Sequence, residues 1–149
     1  DAEELTDVEF TEHFMQIVRL LHLSSVNAAQ NSQAHTKSRK KYVELALEYV
    51  NEHYADPSLC IGDVAKTLFL HENYLSKLFK NAMGMTFGSY LTQKRIEYAA
   101  SLMEQGHTSV TEIASLVGYA DPLYFSKVYK KYNKISPSEN IKKFQSPRS

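Results

Sequence analysis

Between Glu9 and Leu23 the apolar residues Phe10, Phe14, Ile17, Val18 and Leu21 recur every three or four positions, which gathers them on one side of a helix. Three uses of that face are open: packing on the rest of the chain, pairing with another chain, or leading into a preceding segment. From Asn27 to Ser38 the chain is polar and lacks a sustained apolar period. That stretch predicts a linker, with a compact domain starting near Arg39. Tyr42, Val43, Ala46, Leu47 and Val50 then predict a helix that stops before Asp56-Pro57, because proline disfavours the helical region for the residue ahead of it. Ile61, Val64, Ala65 and Leu68 predict a short helix. After a break at Phe69-Leu70, a second helix over His71 to Asn81 carries Tyr74, Leu75, Leu78 and Phe79 at helical spacing, and Gly84 ends it or bends the chain.

A longer helix is predicted from Phe87 to Met103, with Tyr90, Leu91, Ile96, Ala99, Ala100 and Leu102 packed. Gln105-Gly106-His107 stops it. Thr108 or Ser109 caps a short helix over Val110 to Val117, whose Ile113, Ala114 and Val117 face inward. Gly118 makes a turn, Asp121 caps the next helix and Pro122 occupies its first turn, where the missing amide hydrogen costs nothing. Phe125, Val128 and Tyr129 are its core positions, and it runs to about Tyr132.

The two halves answer one another. Ile61-Gly62-Asp63-Val64-Ala65 before Tyr74-Leu75-Ser76-Lys77-Leu78-Phe79-Lys80 parallels Thr111-Glu112-Ile113-Ala114 before Tyr124-Phe125-Ser126-Lys127-Val128-Tyr129-Lys130. Tyr74 follows Ala65 by nine positions and Tyr124 follows Ala114 by ten, so the second turn carries one extra residue. The prediction is an all-α fold: two helix-turn-helix subdomains joined by a central connecting helix and preceded by an amphipathic N-terminal helix. Its divisions are an acidic helix and polar linker over 1–38, a first unit over 39–84, the connecting helix over 85–105 and a second unit over 106–149.

Charge sharpens this picture. The 149 residues hold 17 basic and 17 acidic side chains, but residues 1–36 carry six acids and one base, a net of −5, while 37–149 carry 16 bases and 11 acids, a net of +5. The second portion attracts polyanions at long range. The chain opens Asp1-Ala2-Glu3 and is expected to be a piece of a longer protein. Its longest nearly apolar run, Phe14 to Leu23, is broken by Gln16, Arg19 and His22 and falls short of the roughly 20 residues that span a bilayer, so no membrane segment is expected.

Catalytic chemistry has little to stand on. The six histidines make no His-Glu-x-x-His pattern, and the single cysteine, Cys60, has no second thiol for a zinc site. Ser38-Arg39-Lys40-Lys41 matches a bare Ser-x-x-Lys without its companion motifs. Cys60 is expected as a small buried hydrophobe. No catalytic, metal or cofactor residues are assigned. Of the 10 tyrosines, Tyr42, Tyr49, Tyr90, Tyr98 and Tyr129 face helical neighbours and are expected in or beside the core.

The repeated helices offer a different chemistry. A helix in the major groove reads base edges with its first turns, which makes His71, Glu72, Asn73 and Lys77 candidates in the first unit and Leu123 and Lys127 in the second. Asn73 can pair bidentately with adenine, Lys77 can donate to guanine and Glu72 can accept from cytosine, whereas Leu123 offers only contact with a thymine methyl. The first unit should therefore specify more sequence. Backbone phosphates are expected at Lys80, Lys130 and Lys131, at Ser109 by a helix start, and at Lys94 and Arg95 of the connecting helix, with a structural ion pair the alternative for Arg95. Two such helices about 34 Å apart would cover successive major-groove segments.

At these residues the chain resembles the DNA-binding domain of the AraC/XylS family of bacterial transcription regulators. The resemblance runs from about Lys41 to Phe144 and is carried by Ile113-Ala114, Val117-Gly118-Tyr119, Asp121, Tyr124-Phe125-Ser126-Lys127, Tyr129-Lys130-Lys131 and Ser136-Pro137, with Arg95-Ile96, Ala99 and Leu102 on the connecting helix. It implies two helix-turn-helix units on adjacent major grooves, double-stranded DNA and RNA polymerase as partners, usually activation of transcription, and a cytoplasmic, DNA-associated bacterial protein without a cofactor. It places the base-reading positions on Asn73 and Lys77 in the first unit and on Leu123 and Lys127 in the second. Three positions depart from the family's habit: Lys134 stands where glycine is usual, Asn140-Ile141 where an aromatic-arginine pair is usual, and Phe87 where proline is common. Tyr90 to Glu97 also looks like the output domains of two-component response regulators.

A homodimer through residues 9–23 or through a preceding domain is a further expectation, and so is an inhibitory cover of the basic surface by the acidic helix. The competing reading is a helical protein-protein interaction module; a small helical enzyme comes third.

Overall fold

The computed structural model describes residues 2–27 and 32–147, with side chains over 9–23 and 35–147. Among the described residues every element is helical: α1 (Ala2–Asn27), α2 (Ser32–His53), α3 (Ile61–Thr67), α4 (Glu72–Met83), α5 (Phe87–Glu104), α6 (Val110–Leu116), α7 (Pro122–Asn133) and α8 (Pro137–Gln145). They form two helix-turn-helix pairs, α3–α4 and α6–α7. The chain divides into two compact units, one holding the residues up to Tyr49 with Cys60–Phe87, the other Val50–Leu59 with the residues from Gly88 onward.

In the first unit Phe14 and Val18 of α1 are buried, as are Tyr42, Val43, Leu45 and Ala46 of α2, Val64 and Ala65 of α3, and Leu75 and Phe79 of α4. Part of the apolar face of α1, Phe14 and Val18, thus packs within its own chain, the first of its three open uses. The Phe14 ring lies 6.0 Å from that of Tyr49. Phe87, at the place where proline is common, is buried with its ring edge-on to Phe79 at 5.5 Å. In the second unit Ile96, Ala99 and Met103 of α5 pack with Ile113 and Ala114 of α6, with Val117 and Tyr119 of the turn after it, with Phe125 and Tyr129 of α7, and with Ile141 of α8. Asn140 donates its amide to the Tyr129 hydroxyl. The Asn140-Ile141 pair therefore ties α8 to this core by one hydrogen bond and one buried side chain.

Two expectations change. The predicted linker over Asn27–Ser38 is helical from Ser32, and residues 28–31 lie outside the described residues; Gln33, Ala34 and Lys37 are residue types that favour helix without needing an apolar face. Cys60 is exposed rather than buried, because it sits ahead of the first turn of α3, where its amide and thiol both donate to the Asp63 carboxylate at 3.1 and 3.3 Å.

The two turns have the same hydrogen-bonded geometry. The Leu70 amide donates to Ala65 O at 2.9 Å and the Tyr119 amide to Ala114 O at 2.8 Å; the amides before them, Phe69 and Gly118, reach Lys66 O and Ser115 O, each at 3.2 Å. Each turn needs a left-handed residue. The second uses Gly118, φ 91°, and the first uses Phe69, φ 55°. The extra residue of the second turn falls after this motif, where Ala120 precedes the capping Asp121.

Candidate nucleic-acid interface

Leu75 and Phe79 fix α4 from beneath, and Phe125 and Tyr129 do the same for α7. Rotation by 100° per residue then puts Asn73, Lys77 and Lys80 on one outward strip and Leu123, Lys127 and Lys130 on the other. All six are exposed. Each member of the first strip is fifty residues from its counterpart in the second, so each unit presents a short polar or apolar residue followed by two lysines one and two turns on. Leu123 is 76% exposed. Lys131 is exposed beside the second strip.

The other candidates are arranged differently. His71 precedes α4 as an exposed N-cap without a side-chain capping bond. Glu72 begins the helix, but its carboxylate leans back over α3, where a Cβ on Gly62 would stand 2.9 Å from Oε2. It is exposed and lies off the Asn73–Lys77 strip. In the second unit Asp121 accepts the Leu123 amide at 2.9 Å and caps α7. Ser109 Oγ accepts the Glu112 amide at 3.2 Å and caps α6, leaving its hydroxyl hydrogen to donate elsewhere.

The connecting helix separates the two readings of Arg95, a phosphate contact and a structural role. Arg95 is buried: Nε donates to Tyr54 O at 2.9 Å, Nη2 to Asp56 O at 2.7 Å, and the guanidinium lies 5.4 Å from the centre of the Tyr119 ring. Burial lowers its pKa from the ordinary arginine value and raises that of Tyr119. Gly118 lies against it, since a Cβ there would stand 2.5 Å from Tyr54 O and 2.9 Å from Arg95 Nε. Arg95 thus holds the second turn from inside. Lys94 is half-buried, pairs with Glu97 at 3.1 Å and lies over the Tyr90 ring at 5.6 Å; the Glu97 hydrogen bond raises its pKa.

Two residues that the sequence reasoning did not place at the site stand beside the strips, Tyr74 at 42% and Tyr124 at 58% exposure. Their signal was present: an aromatic residue opens the repeated motif in both halves, one position past Asn73 and Leu123. Among the described residues there is no group of three His, Cys, Asp or Glu side chains suited to a metal ion, and no helix long and apolar enough to cross a membrane.

Comparison with known proteins places these features. A helix-turn-helix domain family matches residues 64–143. An uncharacterised HTH-type transcriptional regulator of Escherichia coli, YijO, is 30% identical over 148 residues, 97% of this chain and 52% of that protein. The lactose operon transcription activator of Staphylococcus xylosus is 36% identical over 97 residues, 65% of this chain and 34% of its own length. The chain thus spans about half or less of the length of these relatives. The C-terminal domain of the two-component response regulator yesN from Fusobacterium nucleatum superposes with a TM-score of 0.64 at 36% identity, covering 66% of this chain and 95% of that domain. A family match that runs through both turns, both outward strips and the helix between them shows that this chain belongs to the AraC/XylS family of helix-turn-helix DNA-binding transcription regulators and carries their C-terminal DNA-binding domain.

Proposed function

We propose that this chain recognises a specific double-stranded DNA sequence by laying α4 and α7 in successive major-groove segments, and that the bound protein activates transcription by contacting RNA polymerase. The observation that carries the reading is the matched pair of outward strips, Asn73-Lys77-Lys80 and Leu123-Lys127-Lys130, each fixed by two buried residues beneath it. Asn73 and Lys77 supply hydrogen bonds to base edges, with His71 at the groove edge. Leu123 meets a thymine methyl and Lys127 a guanine or phosphate. Lys80, Lys130, Lys131, Ser109 and the hydroxyls of Tyr74 and Tyr124 take backbone phosphates. Activation is supported by the family resemblance and by the name of the Staphylococcus relative.

Selection of bound duplexes from a random pool, followed by anisotropy titration at several salt concentrations, tests this reading. Two short enriched elements about one helical turn apart are expected. Binding that is absent, or blind to sequence, overturns it. A second reading, contact with another protein or a second copy of this chain, is favoured by Leu20 and Leu23, 64% and 66% exposed on α1. It predicts a concentration-dependent mass in sedimentation that replacing both leucines with serine abolishes.

A further inference from the structure

The two turns reach the same geometry by different means. In the second, glycine takes the left-handed position without strain, and Arg95 backs the turn from inside its own unit. In the first, a phenylalanine takes it. A side chain with a Cβ in the left-handed region is strained, and such residues persist only where the surroundings hold them. Phe69 gains little from burial, being 64% exposed. Its neighbour on α1 is His22. The His22 ring stands edge-on to Phe69, centroids 6.0 Å apart and 79° between planes, and its Nε2–H donates to the carbonyl of Leu68, 2.7 Å away, the residue before Phe69. The His22 ring also lies 6.0 Å from the ring of Tyr42 on α2. Buried Phe14 and Val18 fix α1 against the same unit.

We infer that His22 is a positioning residue for the first reading helix. By holding Leu68 and Phe69 in the left-handed turn it sets the angle at which α4 leaves α3. The helix α1 is therefore a working part of the first reading unit rather than an attachment to it. Only His71 stands between Leu70, whose amide closes the turn on Ala65 O, and the first residue of α4. A turn released at Phe69 frees the start of α4, where Asn73 sits. The inference rests on the proposed reading of DNA by α4, but the state of the turn is measurable without DNA.

The test uses the whole chain and two variants, His22→Ala and His22→Ala with Phe69→Gly. Hydrogen exchange is followed at the Leu70 amide, with the Tyr119 amide, its counterpart in the second turn, as internal control. Base-substitution penalties are measured along a selected duplex. In His22→Ala, exchange at Leu70 is expected to speed up roughly fivefold or more, the scale of a relaxed left-handed residue, with Tyr119 unchanged. Discrimination among bases should fall in the segment read by α4 and persist in the segment read by α7. Phe69→Gly in the same chain should restore both, because glycine needs no partner to hold that conformation. Unchanged exchange at Leu70, equal acceleration at Tyr119, or failure of the glycine to restore the turn overturns the inference. If the unaltered chain shows no sequence preference, the reading of DNA fails, and the exchange comparison alone decides the role of His22.

Discussion

Gly118 and Arg95 show how much one residue can depend on another. At φ 91° every side chain is strained, and a Cβ at Gly118 would press on the Tyr54 carbonyl, which is backbone and cannot swing aside. Gly118→Ala should therefore cost about 3 kcal/mol, strain and displacement acting together, read as a fall in the urea midpoint with an unchanged slope. A loss under 1 kcal/mol would mean that the turn relaxes freely. At the outward strip the expectation is different. Lys77→Ala should leave stability within about 0.5 kcal/mol but weaken the selected duplex by about 1–3 kcal/mol and relax the preference at one base. Lys130→Ala should weaken all duplexes alike and lower the slope of log affinity against log salt by about one. Equal effects of the two changes on sequence preference would remove the distinction between base and phosphate contacts.

Helix ends carry the next layer. Ser136 and Glu139 cap α8 reciprocally: Ser136 Oγ accepts the Glu139 amide at 3.2 Å, and the Glu139 carboxylate accepts the Ser136 amide at 2.9 Å. That backbone hydrogen bond holds the Glu139 pKa below its ordinary 4.5. A carboxylate lowered on folding stabilises fully above its unfolded value and loses that stabilisation as pH falls through its folded value. The chain should lose stability on acidification below about pH 4.5, and Glu139→Gln should lose less over the same range; parallel acid transitions would count against the cap. Lys134 ends α7 at φ 66° as Gly84 ends α4 at 70°, so Lys134→Gly should raise stability by about 1 kcal/mol in urea unfolding. These elements were largely legible in the sequence, because period, caps and breakers each leave a local mark: α3, α4, α6 and α7 lie within a residue or two of their predicted spans. The start of α2 was not, since Ser32 to Ser38 carries good helix formers without an apolar stripe to announce them. Arg95 and Phe69 were illegible for another reason. Their roles depend on carbonyls and rings brought to them from distant positions, and neither residue type signals a buried clamp or a left-handed turn.

For the whole molecule, the position of α1 matters most. Its apolar face is used within the first unit, while Asn73, Lys77 and Lys80 stay exposed with α1 in place. The expected inhibitory cover is therefore not seen over these residues. Phe14→Ala should cost about 3 kcal/mol of stability, read by thermal melting monitored through helicity, and removing residues 1–27 should weaken DNA binding rather than tighten it. Tightening at fixed salt would restore the inhibitory reading. The two outward strips have a consequence of another kind. They share a register but differ in their leading residue, asparagine in one and leucine in the other, so exchanging the two units would not reproduce the same surface. A protein that reads with both has a head and a tail along its target, and the sequence it prefers carries an arrow. If both strips read DNA as proposed, one chain needs no symmetric copy of itself to distinguish upstream from downstream.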